Sequence, residues 1–275
     1  MGDFEVDTRV APLGGGRYRA HLDPDWEIWG PNGGYVAAIA LRAAGAEARL
    51  RPSSFTCHFL AVGAFDEAVA EVEVVRAGRR SELLRARIVQ GERVLVEALL
   101  RTAREGPGLE HVRPTMPPAP HWSALPSVDA LLPADTPRHA FWQNLEQRFP
   151  DPERVAAERT AREPEWIEWY RFRPRATFDD PWVDAGRSLL LLDTLGWPAA
   201  CGPHPDGAFI APSLDVTVWF HDAAPRAEWL LAHVRAPLAR GGLMGAQGAV
   251  YADDGRLLAT GGSHMLCAPA PAPAG

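Results

Sequence analysis

Cysteine is scarce in this 275-residue chain. Only Cys57, Cys201 and Cys267 occur, an odd number, widely spaced and without a C-x-x-C pair. That argues against a disulfide framework or a zinc knuckle and fits a reducing compartment. Positive charge is not in excess either: the net charge is −7 and the isoelectric point about 5.7. The arginines are scattered among acidic residues and form no basic block, so a general nucleic-acid role is not expected. No apolar run is long enough to span a bilayer. Residues 1–5 lack a basic region leading into an apolar core, so no secretory signal is expected and the expected location is the cytoplasm. A Gly-x-Ser-x-Gly elbow, needed for a serine nucleophile between strand and helix, is absent.

Against these absences stands a hydrophobic share of 47%, enough for a sizeable core in one large domain or two of ordinary size. The most informative motif is Gly30-Pro31-Asn32-Gly33-Gly34-Tyr35, which runs straight into an Ala-rich stretch from 36 to 48. Val36, Ala37, Ala38, Ile39, Ala40, Leu41, Ala43 and Ala44 are apolar almost all round, the pattern of a buried helix rather than an amphipathic one. Adjacent glycines let the backbone approach a neighbour or a ligand closely. At a helix start they also present free, polarised N–H groups suited to an anion or oxyanion. On that reading Asn32, Gly33, Gly34 and Tyr35 form an oxyanion- or substrate-binding set. On the plainer reading the glycines make a tight loop against a sheet.

After this helix the period changes. From 67 to 75 apolar and acidic residues alternate, which is strand spacing. Arg76-Ala77-Gly78-Arg79-Arg80-Ser81 reads as a turn, Leu84, Ala86 and Ile88 as a second strand, and Gln90-Gly91-Glu92-Arg93 as the turn into a third. Residues 105–164 differ: prolines cluster at Pro117-Pro118-Ala119-Pro120, and only 152–162 looks helical, so this stretch reads as a linker with local structure. The first pattern then recurs. Asp180-Pro181-Trp182-Val183-Asp184-Ala185-Gly186 leads into Leu189-Leu190-Leu191-Leu192-Asp193, a second buried helix, followed by a strand from 213 to 220 and another meander closed by the turn Asp253-Asp254-Gly255. A duplication is one reading of this order, and two unrelated α+β units are the other. The boundaries expected are 1–104, 105–164 and 165–270.

A buried helix followed by an antiparallel sheet that must wrap it is the plan of the α+β hotdog fold, and two copies make a double hotdog. The chain resembles the acyl-CoA thioesterase II type of double-hotdog hydrolase. Gly33-Gly34 with its helix, Ser54-Phe55-Thr56-Cys57-His58-Phe59-Leu60 and the 76–81 turn carry the likeness in the first half. Ser213-Leu214-Asp215 with Trp219-Phe220-His221, and Glu228-Trp229-Leu230-Leu231, carry it more closely in the second. The resemblance implies hydrolysis of a fatty acyl-CoA or related acyl thioester, no cofactor, no metal, and a homo-oligomer. It further implies that an Asp, a Ser or Thr and a Gln from the second half activate water. The Asp corresponds to Asp193, the hydroxyl residue to Ser213, and the Gln position to Ser263, beside His264. Glutamine is missing there, a departure from the family pattern.

The residue chemistry fits the first two roles. A carboxylate behind four leucines is expected to be partly buried, and burial lifts its pKa toward the general-base range. A hydroxyl such as Ser213 can hold a water whose proton Asp193 accepts. The alternative for Asp193 is a surface pair with Arg187 or a helix cap. Trp26, Trp29, Trp166, Trp169 and Trp182 either shape an acyl pocket or pack the core. A hotdog hydratase is disfavoured, because neither Asn32 nor Asp184 has a catalytic partner a few residues away. A non-catalytic acyl-CoA- or lipid-binding protein is the alternative function, and a duplicate serving only assembly is the third.

Overall fold

The computed structural model describes residues 1–113, 115–152, 160–205 and 209–269. The N-terminal half starts with one helical turn, α1 (Phe4–Asp7), and a hairpin of β1 (Ala11–Gly14) and β2 (Arg17–His21). The long helix α2 (Gly33–Glu47) follows, then β3 (Arg51–Phe59), β4 (Glu67–Ala77), β5 (Ser81–Gln90) and β6 (Arg93–Ala103). The short α3 (Val128–Leu131) and β7 (Leu145–Arg148) lie between the halves. The second half comprises β8 (Glu165–Phe172), the helices α4 (Pro181–Thr194) and α5 (Gly196–Cys201), and the short β9 (Phe209–Ile210). It continues with β10 (Ser213–Phe220), β11 (Leu230–Arg240), β12 (Leu243–Ala252), β13 (Leu257–Leu266) and β14 (Ala268–Pro269).

Helix α2 begins where Asn32 caps it and is buried from Gly34 through Leu41 and again from Ala43 to Gly45. Helix α4 begins with the Asp180 side chain bonded to the Trp182 N–H and Pro181 in its first turn, where a missing N–H costs nothing. Two helices this apolar need cover on every side, and one continuous antiparallel sheet supplies most of it. Its twelve strands run in the order β1-β2-β4-β5-β6-β3-β10-β13-β12-β11-β8-β7. The halves join at β3 and β10, where Thr56 faces Thr217 and their hydroxyl oxygens are 3.1 Å apart. Phe55, Cys57, Val216 and Val218 point inward from the same seam and are buried, as period-2 alternation demands.

The helices cross the concave face antiparallel to each other. A Cβ on Gly34 would lie 2.8 Å from Leu190 Cα, one on Gly186 3.6 Å from Ala38 Cβ, and one on Gly45 2.3 Å from the Trp182 indole. This is the double hotdog that the sequence implied, with helices starting at Gly33 and Pro181. The segment expected as a linker does more than connect. Its β7 extends the sheet by pairing with β8, Phe141 enters the main core, and Trp122 stacks on Trp229 of the outer face with ring centroids 5.1 Å apart. Most of the helix expected over 152–162 lies outside the described residues.

Candidate active site

The antiparallel crossing brings the start of α2 against the end of α4, and a cavity of about 810 Å³ opens there. Asn32, Gly33, Asp193, Thr194 and Ser213 line it together with apolar walls that include Trp29, Trp142, Trp166 and Trp197.

Asp193 is 2% exposed. Burial pushes its carboxyl up to about 6, against hydrogen bonds from the Ser213 hydroxyl and the Gly34 N–H that favour the charged form, while the Asp215 charge adds a smaller upward push. Desolvation dominates because removing a carboxylate from water costs more than two hydrogen bonds return. Its Oδ1 has no partner among the described residues. Arg187, the alternative partner, is committed elsewhere: it pairs with Asp184 and donates to the carbonyls of Ala176, Ala224 and Ala227. Ser213 begins β10 beside a register shift in its pairing with β13, so its hydroxyl sits at a strand end, turned toward the helix.

The glycine motif divides. Gly34 makes its close approach to the backbone of Leu190 rather than to the cavity, and its N–H serves Asp193. The Tyr35 N–H is taken by Asn32 Oδ1 at 2.9 Å. The Tyr35 ring turns away, stacked on Trp26 with centroids 5.2 Å apart, and its hydroxyl donates to the Asp7 carbonyl at 2.9 Å. Tyr35 therefore does not reach the cavity. That leaves Gly33, which lines it and whose N–H has no partner among the described residues.

The structure does not bring Ser263 to the cavity. It points inward from β13, 5% exposed, but packs behind the wall, its Oγ 3.2 Å from where a Cβ on Gly196 would stand. Its hydroxyl has no partner among the described residues. His264 faces outward and is exposed. Of the tryptophans singled out in the sequence, Trp29 and Trp166 line the cavity, Trp26 is core, Trp169 belongs to the outer aromatic cluster, and Trp182 packs on Gly45.

Comparison with known proteins adds an independent line. The acyl-CoA thioesterase N-terminal domain matches residues 22–103, and the acyl-CoA thioesterase C-terminal domain matches residues 111–262. The chain belongs to the acyl-CoA thioesterase II family. The C-terminal match starts inside the segment read as a linker, in keeping with the strand that segment adds to the second half of the sheet. The thioesterase is 27% identical to acyl-CoA thioesterase 2 of Haemophilus influenzae, over 83% of this chain and 84% of that protein. Its fold is shared with an acyl-CoA thioesterase II from Mycobacterium marinum, at a TM-score of 0.79 and 24% identity over 98% of this chain and 99% of that one. It is also shared with a hotdog-fold protein of unknown function from Alicyclobacillus acidocaldarius, at a TM-score of 0.82 and 22% identity over 99% and 100% of the two chains.

The sequence reading of the thioesterase passed over Trp142, Trp197 and Thr194. The tryptophans carry no periodic signal, since one lies in a 3-10 helix of five residues and the other in an α-helix of six. Thr194 directly follows Asp193 and ends the same helix. Among the described residues no helix is long and apolar enough to cross a membrane.

Proposed function

We propose that the protein hydrolyses a fatty acyl-CoA or related acyl thioester to the free acid and CoA, with Asp193 as general base and no covalent acyl-enzyme. One observation carries the reading: a buried carboxylate held near 6, with one oxygen unpartnered, at the wall of a largely apolar cavity. A base with that pKa is roughly nine-tenths ionised at pH 7 and still basic enough to accept a proton.

Ser213 holds the carboxylate in place, and the carboxylate orients a water at the cavity wall. The acyl chain lies along the apolar walls, and the thioester carbonyl meets the Gly33 N–H at the start of α2. Water adds to the carbonyl carbon as Asp193 takes its proton, and negative charge collects on the carbonyl oxygen. Collapse then expels the CoA thiolate, which recovers the proton from Asp193. A well-placed backbone donor of this kind is worth about 10²–10³ in rate.

The second reading, a protein that binds acyl-CoA without cleaving it, is favoured by Ser263, since the third group of the family pattern is absent from the cavity. A panel of acyl-CoAs with free thiol as the readout separates the two. Thiol release above the uncatalysed rate supports hydrolysis. Saturable binding with no thiol release supports the binding protein.

A further inference from the structure

Thr194 lines the cavity and is 8% exposed. A threonine hydroxyl inside a helix commonly donates back to the carbonyl four residues earlier. Here, among the described residues, Thr194 Oγ1 makes one hydrogen bond, with Asn32 Nδ2 at 3.0 Å. The direction of that bond is fixed by chemistry. Asn32 Oδ1 receives the Tyr35 N–H, a group that can only donate, so the amide nitrogen is the atom facing Thr194. An amide nitrogen also only donates, so the threonine oxygen accepts and its own proton points elsewhere. The Thr194 O–H is thus a buried donor with no acceptor among the described residues, beside Asp193 at the cavity wall.

We propose that Thr194 donates this hydrogen bond to the thioester carbonyl oxygen as charge develops there, and that Asn32 is the positioning residue that keeps the hydroxyl in that role. The inference rests on the hydrolysis reading above. A donor aids the attacking water less, because a bond to one of its two lone pairs withdraws electron density from the nucleophile. It suits the carbonyl oxygen, which gains an electron pair when the new C–O bond forms and gives it back when the C–S bond breaks. Asp193 carries the water's proton between those events and returns it to the departing thiolate, so no other reactant is needed. Thr194 O–H and Gly33 N–H then serve one oxygen from the two helices that meet here. The site has a side-chain donor even though Ser263 stands outside it.

Two substitutions remove the same proton by different routes. Thr194→Val keeps the shape and deletes the hydroxyl. Asn32→Asp keeps the acceptor that caps Tyr35 but turns the donor facing Thr194 into an acceptor, which draws the threonine proton toward residue 32. Assayed at pH 8 or above, so that the added carboxylate does not leave Asp193 protonated, each is expected to lower kcat about 10²–10³-fold with KM within about threefold of wild type. The double variant is expected to fall no further than the worse single one, and Thr194→Ser to keep most of the rate. A purely structural role would instead give additive losses tracked by the thermal midpoint, with no rescue by serine. A folded Thr194→Val with kcat within about twofold of wild type overturns the inference and leaves hydrolysis standing. If Thr194→Val fails to fold, a full rate in Asn32→Asp overturns it in the same way. A wild-type protein that releases thiol from no acyl-CoA overturns the hydrolysis reading and this inference together.

Discussion

Helices α2 and α4 meet twice, once at each end of their antiparallel crossing, and the two meetings are built from matching positions. The second residue of α2 is Gly34 and the thirteenth of α4 is Asp193. They touch where the cavity of about 810 Å³ lies. The second residue of α4 is Trp182 and the thirteenth of α2 is Gly45. They touch at the other end, where the indole covers the glycine, Arg42 reaches Asp180 at 3.3 Å, and the nearby cleft holds only about 60 Å³. The caps differ in the same sense. At α4, Pro181 removes one N–H and the Asp180 carboxylate occupies the Trp182 N–H. At α2, a neutral Asn32 binds one N–H and leaves that of Gly33 open. A helix start can hold a further negative charge only where a donor is unspent; at α2 the Asp193 carboxylate takes the Gly34 N–H but leaves that of Gly33. One repeat unit thus supplies backbone donors, the other supplies side chains, and the reciprocal junction is packed shut.

The strongest test of this contrast is Asp193→Asn. In the proposed role of general base Asp193 would be worth about 10²–10⁴ in kcat, and thiol release by the asparagine variant is expected to fall by that much. Stability should move the other way. The carboxyl titrates near 6 in the folded protein against an ordinary 3.8. Between those values the folded state holds a proton that the unfolded state has released, so stability falls as pH rises through that window and stays low above it. The neutral amide of the variant carries no such cost. Denaturant unfolding at pH 8 is expected to show the variant more stable by about 1–3 kcal/mol, a gain that vanishes below about pH 4. A variant equally stable and equally active at pH 8 would refute the buried-base assignment.

The closed junction should answer differently. Trp182→Ala removes a half-buried indole that fills it and is expected to cost about 2–4 kcal/mol. The kcat of the folded variant should be unchanged, because the proposed catalytic end lies a helix length away. A comparable loss of rate would show that the closed end also positions the open one.

A third, smaller effect separates the ends by pH. With Asp193 as the only ionisable group assigned to the chemistry, kcat/KM should decline about tenfold per pH unit below 6 and level off above. Trp182→Ala should keep that profile. A flat acid limb in the wild-type protein would remove Asp193 from its role.

Much of this was open to reading in the sequence, and the reason differs by element. Helices α2 and α4 announce themselves because they are apolar on every side and are followed by period-2 runs. Asp193 stood out as an acid behind four leucines. By contrast, β1 is exposed at every position and offers no pattern, and β7 is four residues long inside a Pro-rich stretch. Ser263 alternates inward as a site residue should, yet only the packing of Gly196, Ala246 and Met265 around it reveals that it misses the cavity. The capping of Tyr35 by Asn32 did have a sequence signal, an asparagine just ahead of an apolar helix. The adjacent glycines obscure it, because a Gly-Gly pair by itself signals a loop. That position two of one helix meets position thirteen of the other follows from the crossing alone, which no local pattern encodes.

That crossing sets the last and finest test, alanine at each of the two glycines. Both additions raise helix propensity by about 1 kcal/mol relative to glycine, so any difference between them comes from what the new methyl meets. At Gly34 it meets Leu190 Cα at 2.8 Å and the Leu190 carbonyl oxygen at 3.0 Å. Backbone cannot step aside, so α4 must shift as a body and carry Asp193 with it. At Gly45 the methyl meets the near edge of the Trp182 indole at 2.3 Å, a half-buried side chain that must be displaced but can yield without moving the α4 backbone. Gly34→Ala is therefore expected to lose about 1–3 kcal/mol of stability and, because a misplacement near 1 Å can cost about 10²-fold in rate, to lower kcat well beyond its effect on folding. Gly45→Ala is expected to lose about 1–3 kcal/mol as well, since a propensity gain of about 1 kcal/mol offsets only part of the packing lost with the displaced ring, but with kcat unaltered. Thermal midpoints and thiol release on the same preparations give both readings. If the two variants lose rate equally, the ends are mechanically coupled and the division into an open catalytic junction and a closed structural one fails. If Gly34→Ala keeps its full rate, the close approach of the helices is not what holds Asp193 in place.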